Sequence, residues 1–223
     1  MRNLHNALLL KQLYQLKQLG YQYSGITPSL IKEKPLELPH SLEELKKQAT
    51  ECHLCELSKS RQNLLFGEGN PRAKILFVGD TPTATQESAK SLFVGRAGEM
   101  LTNMIEKVLL IPRDEVYITN ILKCHIPNNQ PPTPTQAHTC LAYLQKEIEI
   151  IKPSLVVALG ESAYRYLTGD NSSLESVRGI LKTEENYKLI ATFHPNYLLR
   201  NPSLKREAFM DMKTIKNLLK TIV

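Results

Sequence analysis

The chain has 223 residues, of which 42% are hydrophobic and 22% are charged, as in an ordinary globular protein of one or two domains. No apolar run approaches the ~20 residues that a membrane span needs, and the run Ala7–Leu10, which ends at Lys11, is too short for a signal peptide. The sequence therefore predicts a cytoplasmic protein with no membrane partner. The net charge of +6 favours polyanionic partners such as nucleic acid.

The first 40 residues differ in pattern from the rest of the chain. Regularly spaced leucines predict a helix over residues 3–19 that ends at Gly20. The segment Tyr21–Pro39 contains three prolines and little periodicity, which predicts an irregular connector. We therefore expect residues 1–40 to form an N-terminal extension and residues 41–223 to form the functional domain.

Strand and helix patterns alternate along this domain. Ser41 and Glu44 form a capping-box pattern, which predicts a short helix that ends near Ala49. The predicted strands are Ile75–Gly79, Val116–Thr119, Leu155–Leu159 and Leu189–Thr192. The further predicted helices are Ala97–Leu110, Gln136–Ile151, 161–167 and Lys205–Leu219. Such alternation predicts an α/β fold with a central four-stranded, mainly parallel sheet that is covered by helices on both faces.

A candidate site lies where the predicted strands end. Each of the four strands is closely followed by one residue of interest, namely Asp80, Asn120, Gly160 and His194. The carboxyl ends of parallel strands share one edge, and open α/β sheets bind ligands in the crevice there. Taken singly, each residue also fits an ordinary loop position. Together, the four favour a common binding site.

The cysteines are Cys52, Cys55, Cys124 and Cys140. The first two form a CxxC pair, Cys124 follows the second predicted strand, and Cys140 lies on the next helix. Four thiolates in a two-plus-two arrangement suit a structural zinc ion or an iron–sulfur cluster, and the ligand type does not decide between them. Spacing alone favours zinc, and four free cysteines are the plainer alternative.

Four motifs in order resemble those of the family four, or thermostable-type, uracil-DNA glycosylases. They are Gly79-Asp80-Thr81-Pro82, Phe93-Val94-Gly95-Arg96-Ala97-Gly98, Thr119-Asn120-Ile121-Leu122-Lys123-Cys124 and His194-Pro195-Asn196-Tyr197-Leu198-Leu199-Arg200. The resemblance covers roughly residues 45–222. It implies a three-layer fold of the uracil-DNA glycosylase type and a 4Fe–4S cluster held by the four cysteines, with zinc as the alternative. It also implies a monomer that removes uracil from single- or double-stranded DNA in the nucleoid.

The resemblance also implies roles for individual residues. Phe93 would stack on a uracil flipped out of the helix, with Gly79 and Thr81 beside the base. Asn120 would pair with the uracil edge, because a carboxamide offers a donor and an acceptor together. His194 would donate a hydrogen bond to uracil O2 as negative charge develops there.

Catalysis and DNA contact are implied for three further residues. Asp80 would orient a water molecule and stabilise the cationic sugar of the transition state. Leu198 would fill the gap that the flipped nucleotide leaves, and Arg200 would contact phosphate. For each of these residues a purely structural role is the alternative, namely capping, core packing or a solvated basic face.

Three positions depart from the family pattern. Asp80 stands where glutamate is usual, and its carboxylate is set back by about 1–1.5 Å. Thr83 replaces a glycine, which predicts a more restricted loop, and His125 replaces an arginine. Two alternatives to the enzyme therefore stay open. One is a module of the same fold that binds uracil-containing or damaged DNA without cutting it, and the other is a zinc-stabilised interaction protein.

Overall fold

The computed structural model describes residues 38–184 and 187–222. The predicted helix over residues 3–19 and all but the end of the predicted connector lie outside these residues. The expected extension over residues 1–40, and its boundary with the domain over 41–223, therefore stay predictions.

A mixed sheet forms the centre of the described part of the chain. Its six strands are β1 (Glu68–Gly69), β2 (Ile75–Gly79), β3 (Tyr117–Asn120), β4 (Leu155–Leu159), β5 (Leu181–Thr183) and β6 (Lys188–Thr192). They lie in the order β1-β3-β2-β4-β6-β5. The four central strands are mutually parallel, as predicted, and they are the four strands of the prediction. The two short edge strands pair antiparallel and were not predicted.

The helices are α1 (Leu42–Thr50), α2 (Leu57–Ser60), α3 (Ala84–Ala89), α4 (Gly95–Asn103), α5 (Pro134–Ile151), α6 (Glu161–Thr168), α7 (Leu174–Val177), α8 (Pro195–Arg200) and α9 (Lys205–Ile222). A π-helical segment, Met104–Leu109, continues α4. Single 3-10 turns cover Arg113–Glu115, Pro127–Asn129 and Pro202–Leu204. Half of the predicted capping box is present at the start of α1, because the Ser41 hydroxyl accepts a hydrogen bond from the Glu44 amide; the Glu44 carboxylate accepts from the Ser41 hydroxyl and not from its amide.

Two sets of helices cover the sheet. The crossovers from β2 to β3 and from β4 to β6 run in opposite directions from the centre, so right-handed connections place α4 and α6 on opposite faces. Helix α9 contacts the π-helical segment and β6, while α5 contacts α6 and α1. The predicted three-layer sandwich is confirmed. Every residue of β2 and β4 is buried, as in a sheet covered on both sides.

None of the helices in residues 38–184 and 187–222 is both long and apolar enough to cross a membrane.

Candidate functional site

The carboxyl edge of the parallel strands brings the predicted residues together. Gly79 at the end of β2 lies opposite Asn120 at the end of β3. A Cβ atom built at Gly160 would lie 3.3 Å from the Cβ atom of His194 and 3.7 Å from Oδ2 of Asp80. Residues that follow β2, β4 and β6 thus meet within one small volume. The strand order reverses direction between β2 and β4, which is where open α/β sheets form their ligand crevice.

The side chain of Asn120 is buried, with 1% exposure, and has an unused donor. Among the described residues, nothing accepts a hydrogen bond from its Nδ2. A Cβ atom at Gly79 would lie 2.4 Å from Asn120 Oδ1 and 2.9 Å from Phe93 Cζ, so only glycine leaves the amide and the ring in place. A buried amide donor without a partner is costly unless a ligand supplies the acceptor.

A buried ion pair holds the strand that carries Asn120. Lys123 Nζ contacts the Glu147 carboxylate, donates to the Asn120 carbonyl at 2.9 Å and donates to Thr119 Oγ1 at 2.6 Å. Glu147 also accepts from the Tyr117 hydroxyl at 3.1 Å. Removing either partner of such a pair leaves an uncompensated buried charge, so the network fixes the end of β3. Glu147 was not predicted as a site residue, although an acid on the apolar face of α5, beside Ile148, is a usable signal in the sequence.

The ring of Phe93 faces the imidazole of His194. The ring centroids are 5.5 Å apart and the planes differ by 29°. Phe93 is buried, and its φ of 51° lies in the left-handed region, which is unfavourable for an aromatic residue. One side of the site is therefore formed by the Phe93 ring, which is carried by a strained backbone.

His194 is a neutral hydrogen-bond donor in this geometry. It caps α8, where its Nδ1 accepts a hydrogen bond from the Asn196 amide at 3.1 Å. Burial of the ring, and after it the charge of Arg200, lower the pKa of His194 to about 4. Because Nδ1 is an acceptor, the single proton of the neutral ring is on Nε2. No group in the described part of the chain accepts a hydrogen bond from that N–H, which can therefore stabilise a developing anion.

Asp80 is a carboxyl group whose ionisation is suppressed. Its Oδ1 accepts a hydrogen bond from the Ala163 amide at 3.0 Å, in the first turn of α6. Burial raises the pKa of Asp80 to about 7; the Ala163 hydrogen bond opposes this shift and the nearby charge of Glu161 adds to it. Carboxyl groups with such shifted pKa values are concentrated in functional sites.

Thr83 has a local structural role. Its hydroxyl accepts from the Gln86 amide while the Gln86 side chain accepts from the Thr83 amide, so it begins α3 with a capping box. Its φ of −90° needs no glycine. At Thr83 the structure therefore has a capped helix start, where the sequence suggested a more restricted loop. Thr81 is half-buried between Asp80 and this helix.

Comparison with known proteins identifies the family. The model of the Uracil DNA glycosylase superfamily matches residues 66–214. The type-4 uracil-DNA glycosylase of Sulfurisphaera tokodaii is 39% identical over 186 residues, which is 80% of this chain and 84% of the relative. Those of Thermotoga maritima and Archaeoglobus fulgidus are 39% and 36% identical, over 80% of this chain and over 95% and 93% of the relatives.

The chain belongs to the type-4 uracil-DNA glycosylase family. In the structure, residues of all four sequence motifs lie close to one another. They are Gly79 and Asp80 of the first motif, Phe93 of the second, Asn120 of the third and His194 of the fourth.

One predicted DNA contact of this type-4 family member needs correction. Leu198 is buried, with 2% exposure, because its face of α8 turns into the core. Tyr197, one position earlier, is 38% exposed and stacks on Phe193 with ring centroids 5.8 Å apart. Arg200 is exposed, as its predicted role requires. The gap-filling role predicted for Leu198 does not fit this geometry.

The four cysteines of this type-4 family member line one cavity. Cys52, Cys55, Cys124 and Cys140 surround it, together with Arg61, whose Nη1 contacts Cys124 Sγ at 3.8 Å. Burial raises the pKa of Cys140 to about 12, so a thiolate there needs a nearby positive charge of the kind a metal supplies. Within the described residues, no three metal-binding side chains meet tightly enough for a single ion. Four thiolates around one cavity are a ligand set that suits an iron–sulfur cluster or a zinc ion.

Proposed function

We propose that this protein excises uracil from DNA inside the cell and leaves an abasic site. Family membership supports the reaction type, and the unpartnered amide of Asn120 beside the Phe93 ring carries the proposal for the substrate. The site has the parts that a flipped pyrimidine needs, namely a stacking ring, an amide that reads the base edge and a neutral donor.

Base recognition would use Asn120 and Phe93. The amide Nδ2 would donate to uracil O4 while Oδ1 accepts from N3–H, and cytosine presents the opposite pattern. Phe93 would stack on the base, at a gain of about 1–3 kcal/mol per base as in single-strand binders. The Cβ-free position at Gly79 keeps room for both groups, and Thr81 would lie beside the base.

Bond cleavage would separate charge across the pocket. The bond between C1′ and N1 breaks and its electron pair stays on uracil, so negative charge reaches O2. The Nε2–H of His194 would stabilise this charge as a positioned donor. The sugar becomes cationic, and the Asp80 carboxylate would stabilise it and orient water, whose oxygen then bonds to C1′ as a proton is released.

DNA contact would involve the exposed side of α8. Tyr197 offers an exposed ring that is stacked on Phe193, and the guanidinium of Arg178 lies 5.1 Å from the centre of the Phe193 ring. We assign Tyr197, in place of Leu198, to contact bases exposed by flipping, and Arg200 to contact phosphate.

The four cysteines would hold a 4Fe–4S cluster with a structural role. The shared cavity and the family resemblance support this assignment, and zinc is the alternative. Elemental analysis of purified protein decides between them: about four irons and four acid-labile sulfides per chain are expected. One zinc without iron would overturn the assignment.

A single assay tests the proposed reaction. The protein is incubated with oligonucleotides, single- or double-stranded, that carry one uracil, then treated with alkali and analysed for strand breakage. Thymine and cytosine oligonucleotides and the Asp80→Ala variant are the controls. Breakage only at uracil, with free uracil released, is expected. Tight binding without breakage would indicate instead the non-catalytic module of the same fold.

The domain limits and the monomer are proposals of the same kind. The family match lies within residues 41–223, which supports placing the activity there. A chain that starts at residue 41 is expected to keep the cleavage rate of the full chain and to elute at the mass of a monomer. Loss of activity in a folded chain would assign a role to residues 1–40.

A further inference from the structure

The backbone of Phe93 is held from outside the base pocket by an ion pair. Its left-handed φ of 51° persists only where neighbouring groups fix the flanking peptides, since a side chain with a Cβ disfavours that region. The groups that fix them belong to Glu68 on β1 and Arg113 in the 3-10 turn before β3.

Glu68 fixes the chain just before Phe93. Its carboxylate accepts from the Ser91 hydroxyl at 3.1 Å and from the Leu92 amide at 3.2 Å. The same carboxylate pairs with Arg113 at 3.7 Å. These contacts tie the Ser91–Leu92 peptide, one residue before Phe93, to an edge strand of the sheet.

Arg113 fixes the chain on both sides of Phe93. Its Nη2 donates to the Leu92 carbonyl at 3.3 Å, while its Nη1 donates to Thr102 Oγ1 at 2.8 Å and to the Gly98 carbonyl at 3.4 Å. A Cβ atom at Gly98 would lie 1.6 Å from the Phe93 carbonyl oxygen, so the Phe93 peptide rests directly on α4. The planar guanidinium suits such divided contacts, which a lysine does not reproduce.

We propose that Glu68 and Arg113 form a clamp that positions Phe93 for stacking on the flipped base. This inference rests on the proposed function and adds two positioning residues that do not touch the substrate. The side chains of Arg113 and Glu68 are 26% and 37% exposed, so the charge attraction between them contributes little, and the clamp acts through its hydrogen bonds to the backbone next to Phe93. Its effect reaches the pocket through the Phe93 ring, which lies against Gly79 and His194.

A double-mutant cycle tests whether the clamp acts through Phe93. Single-turnover cleavage of uracil DNA is measured for Arg113→Met in the natural chain and in a Phe93→Ala chain. We expect a loss of about tenfold in the first background, equivalent to about 1.4 kcal/mol in the barrier, and less than about twofold in the second. Equal losses in both backgrounds would show that Arg113 does not act through Phe93.

A matched control comes from the other edge of the sheet. Lys182 on β5 pairs with Glu184 at 3.3 Å, and their side chains are 37% and 25% exposed, much like the clamp. Lys182→Met is expected to leave the cleavage rate unchanged. A similar loss in this variant would mean that any edge ion pair matters, and would overturn the assignment of the clamp.

A second cycle keeps the clamp testable without enzymatic activity. Glycine adopts a positive φ freely, so Phe93→Gly removes the strain that the clamp opposes. The shift in urea midpoint caused by Arg113→Met should therefore be smaller in the Phe93→Gly chain than in the natural chain, and equal shifts would refute the clamp. If the natural chain does not cleave uracil DNA, the proposed function fails. The urea cycle still tests whether Glu68 and Arg113 hold the backbone of Phe93. If Arg113→Met does not fold, Glu68→Ala takes its place in both cycles.

Discussion

Ionised Asp80 should destabilise the folded protein, and Asp80→Asn should reverse this at the expense of activity. The pKa of Asp80 is raised from 3.8 to about 7, so between these values the folded state holds a proton that the unfolded state has lost. The free energy of unfolding therefore falls as pH rises through this window, and stays at its lower level above about pH 7.

The size of the effect follows from the shift. About three pKa units at about 1.4 kcal/mol each set an upper limit of about 4 kcal/mol for the free-energy cost of the ionised group. Solvent still reaches part of the side chain, so we expect a gain of about 1–3 kcal/mol for Asp80→Asn at pH 8. Asparagine keeps an oxygen that can accept from the Ala163 amide, so the variant removes the charge and little else.

Urea unfolding of the natural chain and of Asp80→Asn at pH 4.5 and at pH 8 measures this difference. The variant should be more stable at pH 8, and its advantage should shrink towards zero at the lower pH, where Asp80 is protonated. Asp170→Asn is the control of opposite sign, because hydrogen bonds from Ser172 and then Tyr164 lower the pKa of Asp170. An advantage that is independent of pH, or a less stable variant at pH 8, would refute the reasoning.

Three further predictions concern the reaction. Asn120→Asp should gain measurable cleavage of cytosine oligonucleotides. A variant that still cleaves uracil but never cytosine would contradict the role of Asn120 in recognising the base edge. His194→Ala should lower the single-turnover rate by about 10²–10³, as for one lost oxyanion donor, with DNA affinity retained in a filter-binding assay; an unchanged rate rules out the donor role. Tyr197→Ala should weaken binding to uracil DNA by about 1–3 kcal/mol while Tyr197→Phe does not, and equal affinities of both variants would remove Tyr197 from the interface.

The centre of the sheet follows from sequence pattern, and its edges do not. Strands β2 and β4 have the predicted bounds because a strand buried on both faces is a continuous apolar run. Strand β3 begins one residue later than predicted because a 3-10 turn ends just before Val116. Strands β1 and β5 have two and three residues, too few to form a periodic pattern. Strand β1 pairs with β3, which is far away in sequence, whereas β5 pairs with the nearby β6.

The residues of the site divide in the same way. Asp80, Asn120 and His194 were predictable because each follows a recognisable strand, and the end of a strand determines where such a residue lies. The inward turn of Leu198 was not, because one residue along a helix rotates a side chain by about 100° and α8 has only six residues. The clamp of Glu68 and Arg113 is invisible in the sequence, since the two residues meet only through the sheet and the turn before β3.

The charges of the pocket before reaction explain why three polar side chains can share one buried rim. His194 is neutral above about pH 4, Asp80 is about half protonated near pH 7, and Asn120 carries no charge. The free site therefore avoids most of the cost of burying ions. In the proposed reaction, charge appears on the substrate instead, negative on the base next to His194 and positive on the sugar next to Asp80. A carboxyl group with a pKa of about 7 is then most easily ionised when the cationic sugar forms, so its stabilising effect would be greatest in the transition state.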